Sequence, residues 1–202
     1  MDGDFSMTMH VKKLVRSCFH SLRQIRVIRR SLTKESAKIL VSSFICSWID
    51  HCNAVFAGLP RSTTNHLESV LHAADRMISG RSKHDHITSV LRDELHWLPV
   101  PQRVIYKLCL TPYKAINGTA PSYIAAMCVS SSTNPARLRL RSSDSRQLLL
   151  PRTKTELGKR AFAYAGPQAW NDLPIALRTS TTLTGFNSAL KTHLFRCCYP
   201  TC

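Results

Sequence analysis

Apolar residues recur at three- and four-residue steps near the amino terminus: Val11, Leu14, Val15, Cys18, Phe19, Leu22 and Ile25. That spacing draws one stripe along a helix. The opposite side of the same helix carries Lys12, Lys13, Arg16, Arg23, Arg26, Arg29 and Arg30. Thr33 stands where an N-cap belongs, and Glu35 follows in the first turn, where a helix dipole favours negative charge. Residues 36–56 are apolar on most sides, which predicts a buried central helix stopped by Gly58 and Pro60. A third helix is predicted over residues 64–79, with Leu67, Val70, Leu71, Ala74 and Ile78 inward and Gly80 at its end. Three antiparallel helices joined by short turns make a small bundle.

The middle of the chain is more broken. A short helix is predicted over residues 86–94, Pro99 and Pro101 interrupt, and a helix resumes over 102–117 with Gly118 as its cap. Pro121 opens another short helix through Met127. After a loop at 130–136 the period changes to two: Arg137, Arg139 and Arg141 alternate with Leu138 and Leu140, the mark of a half-buried strand. Residues 147–151 and 159–164 read as two further strands, with Ser142, Ser143, Asp144 and Gly158 as turn residues between them. A final amphipathic helix over 183–195 aligns Phe186, Leu190 and Leu194. The predicted class is mainly α with one small β-element (α+β). Its parts are a helical bundle over 1–80, a helical connector over 81–129 and a basic module over 130–202.

Charge narrows the function. The 202 residues hold 28 Lys plus Arg against 12 Asp plus Glu, a net charge of +16. Such a chain repels itself unless a polyanion is near; nucleic acid is the first candidate partner and an anionic membrane surface the second. Residues 137–160 alone carry eight basic residues against two acidic ones: Arg137, Arg139, Arg141, Arg146, Arg152, Lys154, Lys159 and Arg160. These and the seven cations of the first helix are the candidate nucleic-acid-binding residues. For each, a merely solvated basic face is the competing reading. Trp170 and Tyr164 offer rings on which bases can stack, but the run AWNDLP reads better as a core tryptophan closing a small module.

Other chemistry finds little footing. The twelve carboxylates are spread out with no Asp-Asp pair, so a two-metal catalytic site is not expected. Asp50, His51 and Asn53 on an apolar run read as structural polar groups that bond helix ends or loops. His84, His86 and His96 lack the partners of a metal site, and the tail RCCYPTC has neither a CxxC pair nor a following histidine. No metal, cofactor or small-molecule substrate is expected. The amino terminus has no apolar signal region, and the longest apolar stretch, 37–59, is interrupted by Lys38, Asp50, His51 and Asn53. The expected setting is intracellular, nuclear or cytoplasmic, without a membrane and not secreted. There the eight cysteines stay reduced and behave as small apolar residues.

Five stretches belong together: DHCNAVFAGLP at 50–60, LHWLPVPQR at 95–103, YKAINGTAPSY at 113–123, the long run LRSSDSRQLLLPRTKTELGKRAFAYAGPQAWNDLP at 140–174, and FNSALKTHLF at 186–195. In this order and spacing the chain resembles the C-terminal region of non-LTR retrotransposon (LINE-type) reverse transcriptases, over roughly residues 14–195. The resemblance implies that the first bundle is the thumb, which in such enzymes holds a primer–template duplex near its minor groove. It also implies that the metal-binding aspartates sit in a palm upstream of these residues. The chain departs from the pattern at Thr111 and Pro112, where the resemblance implies apolar residues. A mid-helix proline costs ~3 kcal/mol or more unless the helix kinks. The expected function is that of a non-catalytic fragment binding RNA or an RNA–DNA duplex through its backbone. The alternatives are part of an RNA-directed DNA polymerase with its palm upstream, or a decayed basic interaction protein.

Overall fold

The periodicity at the amino terminus becomes α1 (Thr8–Ile28), which buries Val11, Leu14, Cys18, Leu22 and Ile25. The computed structural model describes residues 6–82, 85, 90–133 and 146–199, and the chain divides into two units, Met1–Pro101 and Gln102–Cys202. Among the described residues the fold is mainly α, with ten helices and one isolated antiparallel bridge, Ser130 to Leu148.

In the first unit, Thr33 caps α2 (Lys34–Val41) by accepting the Ser36 N–H at 3.1 Å. A wide π-turn (Ser42–Cys46) follows, then α3 (Ser47–Asp50). The buried positions Ala37, Val41, Ile45 and Ile49 are four residues apart. In a regular α-helix three such steps drift roughly 120° around the axis. The wider turn takes up that drift and keeps all four on the core side. The predicted helix to residue 56 therefore ends sooner, at Asp50. His51 turns extended and Cys52 is left-handed (φ 52°), and a 3-10 turn follows at Asn53–Phe56. Nor is it apolar-packed on most sides: Ile39, Phe44 and Trp48 are 66%, 51% and 55% exposed.

The third predicted helix is α4 (Arg61–Ser79), closed by left-handed Gly80, whose N–H bonds the Arg76 carbonyl at 2.9 Å. α1 and α2 both pack on α4. Arg29, just past the end of α1, joins the two carboxyl ends. Its guanidinium donates to the carbonyls of Met77 at 2.8 Å and Ile78 at 2.9 Å, and to Leu32 at 2.9 Å. α1 and α4 thus run side by side in the same direction, with α2 returning between them. Beyond α4, a π-turn at Val90–Glu94 leads into buried Leu95, Trp97 and Leu98. Of the predicted helix over 86–94, residues 86–89 lie outside the described residues.

α5 (Val100–Ile116) starts two residues earlier than predicted, which places Pro101 in the first turn, where a missing N–H costs nothing. Glu68 supplies the absent cap by accepting the Val100 N–H at 2.6 Å. α5 runs through Pro112, which is buried, and the Thr111 hydroxyl donates to the Lys107 carbonyl one turn back at 3.0 Å. α6 is shorter than predicted (Ser122–Ala125).

The β-element is the main correction in the second unit. Residues 159–164, read as a strand, belong to α7 (Glu156–Arg160) and α8 (Phe162–Asn171). Thr155 caps α7 by accepting the Gly158 N–H at 3.0 Å. Residues 147–151 form no strand beyond the single bridge. The Asn171 side-chain amide clasps the backbone of Leu148 instead, accepting its N–H at 2.8 Å and donating to its carbonyl at 2.9 Å. The strand expected at 137–141 lies outside the described residues. After α9 (Ile175–Arg178), Thr182 caps α10 (Leu183–Cys198), which buries Phe186, Leu190 and Leu194 as predicted. The core centres on three rings: Tyr113 stacks on Phe186 with centroids 4.2 Å apart, and Trp170 lies 5.8 Å from Phe186. The indole N–H of Trp170 reaches the Arg146 carbonyl at 2.7 Å.

Two stability predictions follow from the first unit. Arg29→Ala removes three bonds from a charged donor and leaves the carbonyls at the end of α4 without it, so urea unfolding should show a loss of about 2 kcal/mol. Arg30→Ala, its exposed neighbour, should stay within about 0.5 kcal/mol of the parent. Asp75 is fully buried on α4 and neither carboxylate oxygen has a hydrogen-bond partner. Burial pushes its carboxyl up to about 6, against the pull of Arg81 and with a push from Glu94. The folded state therefore keeps a proton that the unfolded chain releases near its ordinary value of about 4. Stability from this group is lost as pH rises from about 4 to about 6 and is level above that. Asp75→Asn should abolish that fall, so the urea midpoint of the variant minus that of the parent should grow across this window.

Candidate nucleic-acid interface

α1 carries Lys12, Lys13, Arg16, Arg23 and Arg26 and no acidic residue. At 100° per residue, Lys12, Arg16, Arg23 and Arg26 fall within an arc of roughly 80°. The buried stripe is centred roughly 120° around the axis from them, so packing α1 on α4 leaves these four cations outward. All four, and Lys13 and Arg30, are exposed. No described carboxylate lies within ion-pair distance of any of them. Lys12 and Arg26 are fourteen residues apart, or about 21 Å along the axis.

Arg29 departs from its neighbours. The structure spends its guanidinium on the end of α4, so its role is to hold the bundle. Elsewhere in this unit Lys34 pairs with Glu94, which also lies 3.9 Å from Arg81. Hydrogen bonding to Lys34 holds the Glu94 carboxyl below its ordinary value.

The basic residues of the second unit divide. Arg137, Arg139 and Arg141 lie outside the described residues. Arg146 is left-handed (φ 48°), and its side chain donates to the Arg178 carbonyl at 3.4 Å while its own carbonyl holds Trp170. Arg152 and Lys154 are exposed, and Arg160 is half-buried. Lys159 is bonded to Glu156 at 2.6 Å, and that bond raises its pKa. Of the rings considered for base stacking, Trp170 is in the core, as its motif suggested, and Tyr164 is half-buried.

Two hollows flank the first half of α1. The larger, about 1120 Å³, is lined by Lys12, Arg16, Met9, Val55 and His66 among others. The smaller, about 560 Å³, runs between α1 and α3. His10 lines both, its ring 6.0 Å from that of buried Phe56. The sequence reading passed over His10 and Trp48. The signal was present, since Trp48 falls between buried positions of an apolar run, but only the end of that run at Asp50 shows which way it faces.

Of the three polar groups read as structural, Asn53 is buried and donates its side-chain N–H to Asp50 at 3.3 Å, with its own side-chain oxygen unpartnered, while His51 is exposed. Burial pushes the Cys18 thiol up to about 11 and the Cys109 thiol up to about 12, which keeps both protonated. All seven described cysteines are free thiols. Cys198 donates to the Leu194 carbonyl at 3.0 Å, and Cys202 lies outside the described residues, as do His84 and His86. Among the described residues no three His, Cys, Asp or Glu side chains converge on a point where a metal could sit, and no helix is long and apolar enough to cross a membrane. Comparison with protein-family models, with curated proteins and with solved structures finds no match to this chain.

Proposed function

We propose that the chain is a nucleic-acid-binding segment of LINE-type reverse-transcriptase origin. It grips the phosphate backbone of RNA or an RNA–DNA duplex inside the cell and does no chemistry of its own. The observation that carries this reading is the outward face of α1. Four cations stand on one side of a straight, well-anchored helix, with no described carboxylate to neutralise them. Stability alone gives no reason for that arrangement, because like charges one turn apart on a helix repel. A polyanion laid along the face would relieve the repulsion and release its own counterions. The up-down-up order of α1, α2 and α4 suits the thumb that the sequence resemblance implies. Within LHWLP and AWNDLP the residues Leu95, Trp97, Leu98, Trp170 and Leu173 are buried, which suits a scaffold that presents a surface.

The binding test is salt dependence. Affinity for an RNA–DNA duplex, measured by fluorescence anisotropy, should fall steeply and linearly on a log–log plot against salt, with little dependence on base sequence. Replacing Lys12, Arg16, Arg23 and Arg26 together by glutamine should flatten that slope by about 3 to 4, near 0.9 per lost phosphate contact. Replacing Arg137, Arg139 and Arg141 together should flatten it further if those residues also touch phosphate. Binding that survives high salt, or a fourfold variant that matches the parent, would leave only a solvated basic face.

The catalytic test is primer extension with magnesium or manganese. The purified chain should leave the primer at its starting length. Template-dependent extension would refute the non-catalytic reading.

A further inference from the structure

Trp48 should not be on the surface on hydrophobic grounds. It is 55% exposed on α3, while the other two tryptophans, Trp97 and Trp170, are 8% and 1% exposed. Its ring borders the 560 Å³ groove whose other walls are His10, Lys13, Leu14 and Ser17 of α1, with His51 at the end of α3. His10, Lys13 and Ser17 are three and four residues apart, so they share one flank of α1, turned from the main basic face toward α3. The groove thus offers a broad aromatic face and a cation on opposing walls, with two imidazoles and hydroxyls between. The adjoining hollow adds Lys12 and Arg16.

We infer that this groove is a stacking site for an unpaired base of single-stranded nucleic acid, with Trp48 as the platform and Lys13 and His10 taking the flanking phosphate. This rests on the reading of the chain as a nucleic-acid binder and adds to it: the exposed arginine face takes backbone, and this groove takes a base that has left its helix. A flat aromatic beside a cation is what single-strand binders use, because every base has a face to stack while its phosphate needs a counter-charge. A protein partner fits the groove less well. An apolar docking face wants few charged or polar groups at its centre, whereas here the Lys13 ammonium and the imidazoles of His10 and His51 line the walls.

The unmodified protein supplies the probe. Only Trp48 is exposed, so a base stacked on it should quench the exposed part of the tryptophan emission. We expect titration with a short single-stranded oligoadenylate to quench that emission and to protect it from iodide, while a blunt duplex of equal length binds without doing either. Trp48→Ala should weaken oligoadenylate binding by about five- to 150-fold, the range for loss of one stacked base, and leave duplex affinity within about twofold. Trp48→Phe keeps a ring and should retain most of the affinity. Thermal melts of both variants check that the fold is intact, and the quenching result stands without either.

The outcomes separate. Duplex binding without quenching by the single strand overturns the stacking site and leaves the backbone reading untouched. Equal weakening of single strand and duplex by Trp48→Ala also overturns it, since Trp48 would then be part of a general surface. Self-association of the parent that Trp48→Ala abolishes, with oligoadenylate affinity unchanged, assigns the groove to a second copy of the chain and overturns it. No binding to either nucleic acid removes both this site and the function on which it rests.

Discussion

The packing of α1 on α4 is the contact from which the first unit takes its form. It buries five residues of one stripe on α1 and thereby fixes which side of that helix faces water. Because the stripe is narrow, the cations between its members have only one place to go. The packing also runs the two helices in the same direction, which brings two carboxyl ends, each with unsatisfied carbonyls and partial negative charge, close together. That arrangement would be unfavourable without a cation between them. Arg29 sits there and bonds the last carbonyls of α4 and the carbonyl of Leu32. One member of an arginine-rich run thus does a different task from the others, and the others are free to face outward because that one holds the ends.

The helices with clear caps and one-sided stripes were legible from the chain. Thr33 and Gly80 mark ends by interactions within four residues, and Val11 to Ile25 marks a face by spacing alone. What could not be read were features decided at a distance. Residues 147–151 look like a strand, yet their backbone is held by the side chain of Asn171, more than twenty residues on. Nothing in the local pattern separates a strand in a ladder from an extended segment clasped by an amide. Residues 159–164 failed differently. Alternation suggested period two, but Thr155 caps a helix there and the Lys159–Glu156 pair supports it, so local helix signals outweighed a weak pattern. The central helix misled because its residues are apolar on most sides; its buried positions turn out to lie four apart, a spacing that a regular helix cannot keep on one face and a π-turn can.

The candidate site shows the same division. The cations of α1 could be named from sequence because opposite faces of an amphipathic helix are fixed by one another. Their separation from Arg29 could not, since that needs the position of Met77 and Ile78. Trp48 was hidden for a related reason: inside a run of apolar residues it looks like one more core side chain. Its exposure depends on where the π-turn places the last turn of the helix. The same turn that saves Ile45 and Ile49 for the core leaves Phe44 and Trp48 outside it.

Asp75 gives the last step. A carboxyl buried without a partner is a cost the fold carries in its own core, in a chain with few acidic residues to spare. It lies on α4 among groups that feel it electrostatically: Arg81 and Lys34, which oppose its protonation, and Glu94, which favours it. Those same three side chains form the ion-pair cluster between the start of α2 and the turn after α4. Glu94 is thereby committed to two cations within this unit. That carboxylate is one fewer available to neutralise Arg16 or Arg23. Among the described residues the outward face of α1 thus has no carboxylate within ion-pair distance, and that follows from where the few acids lie as much as from where the many bases are.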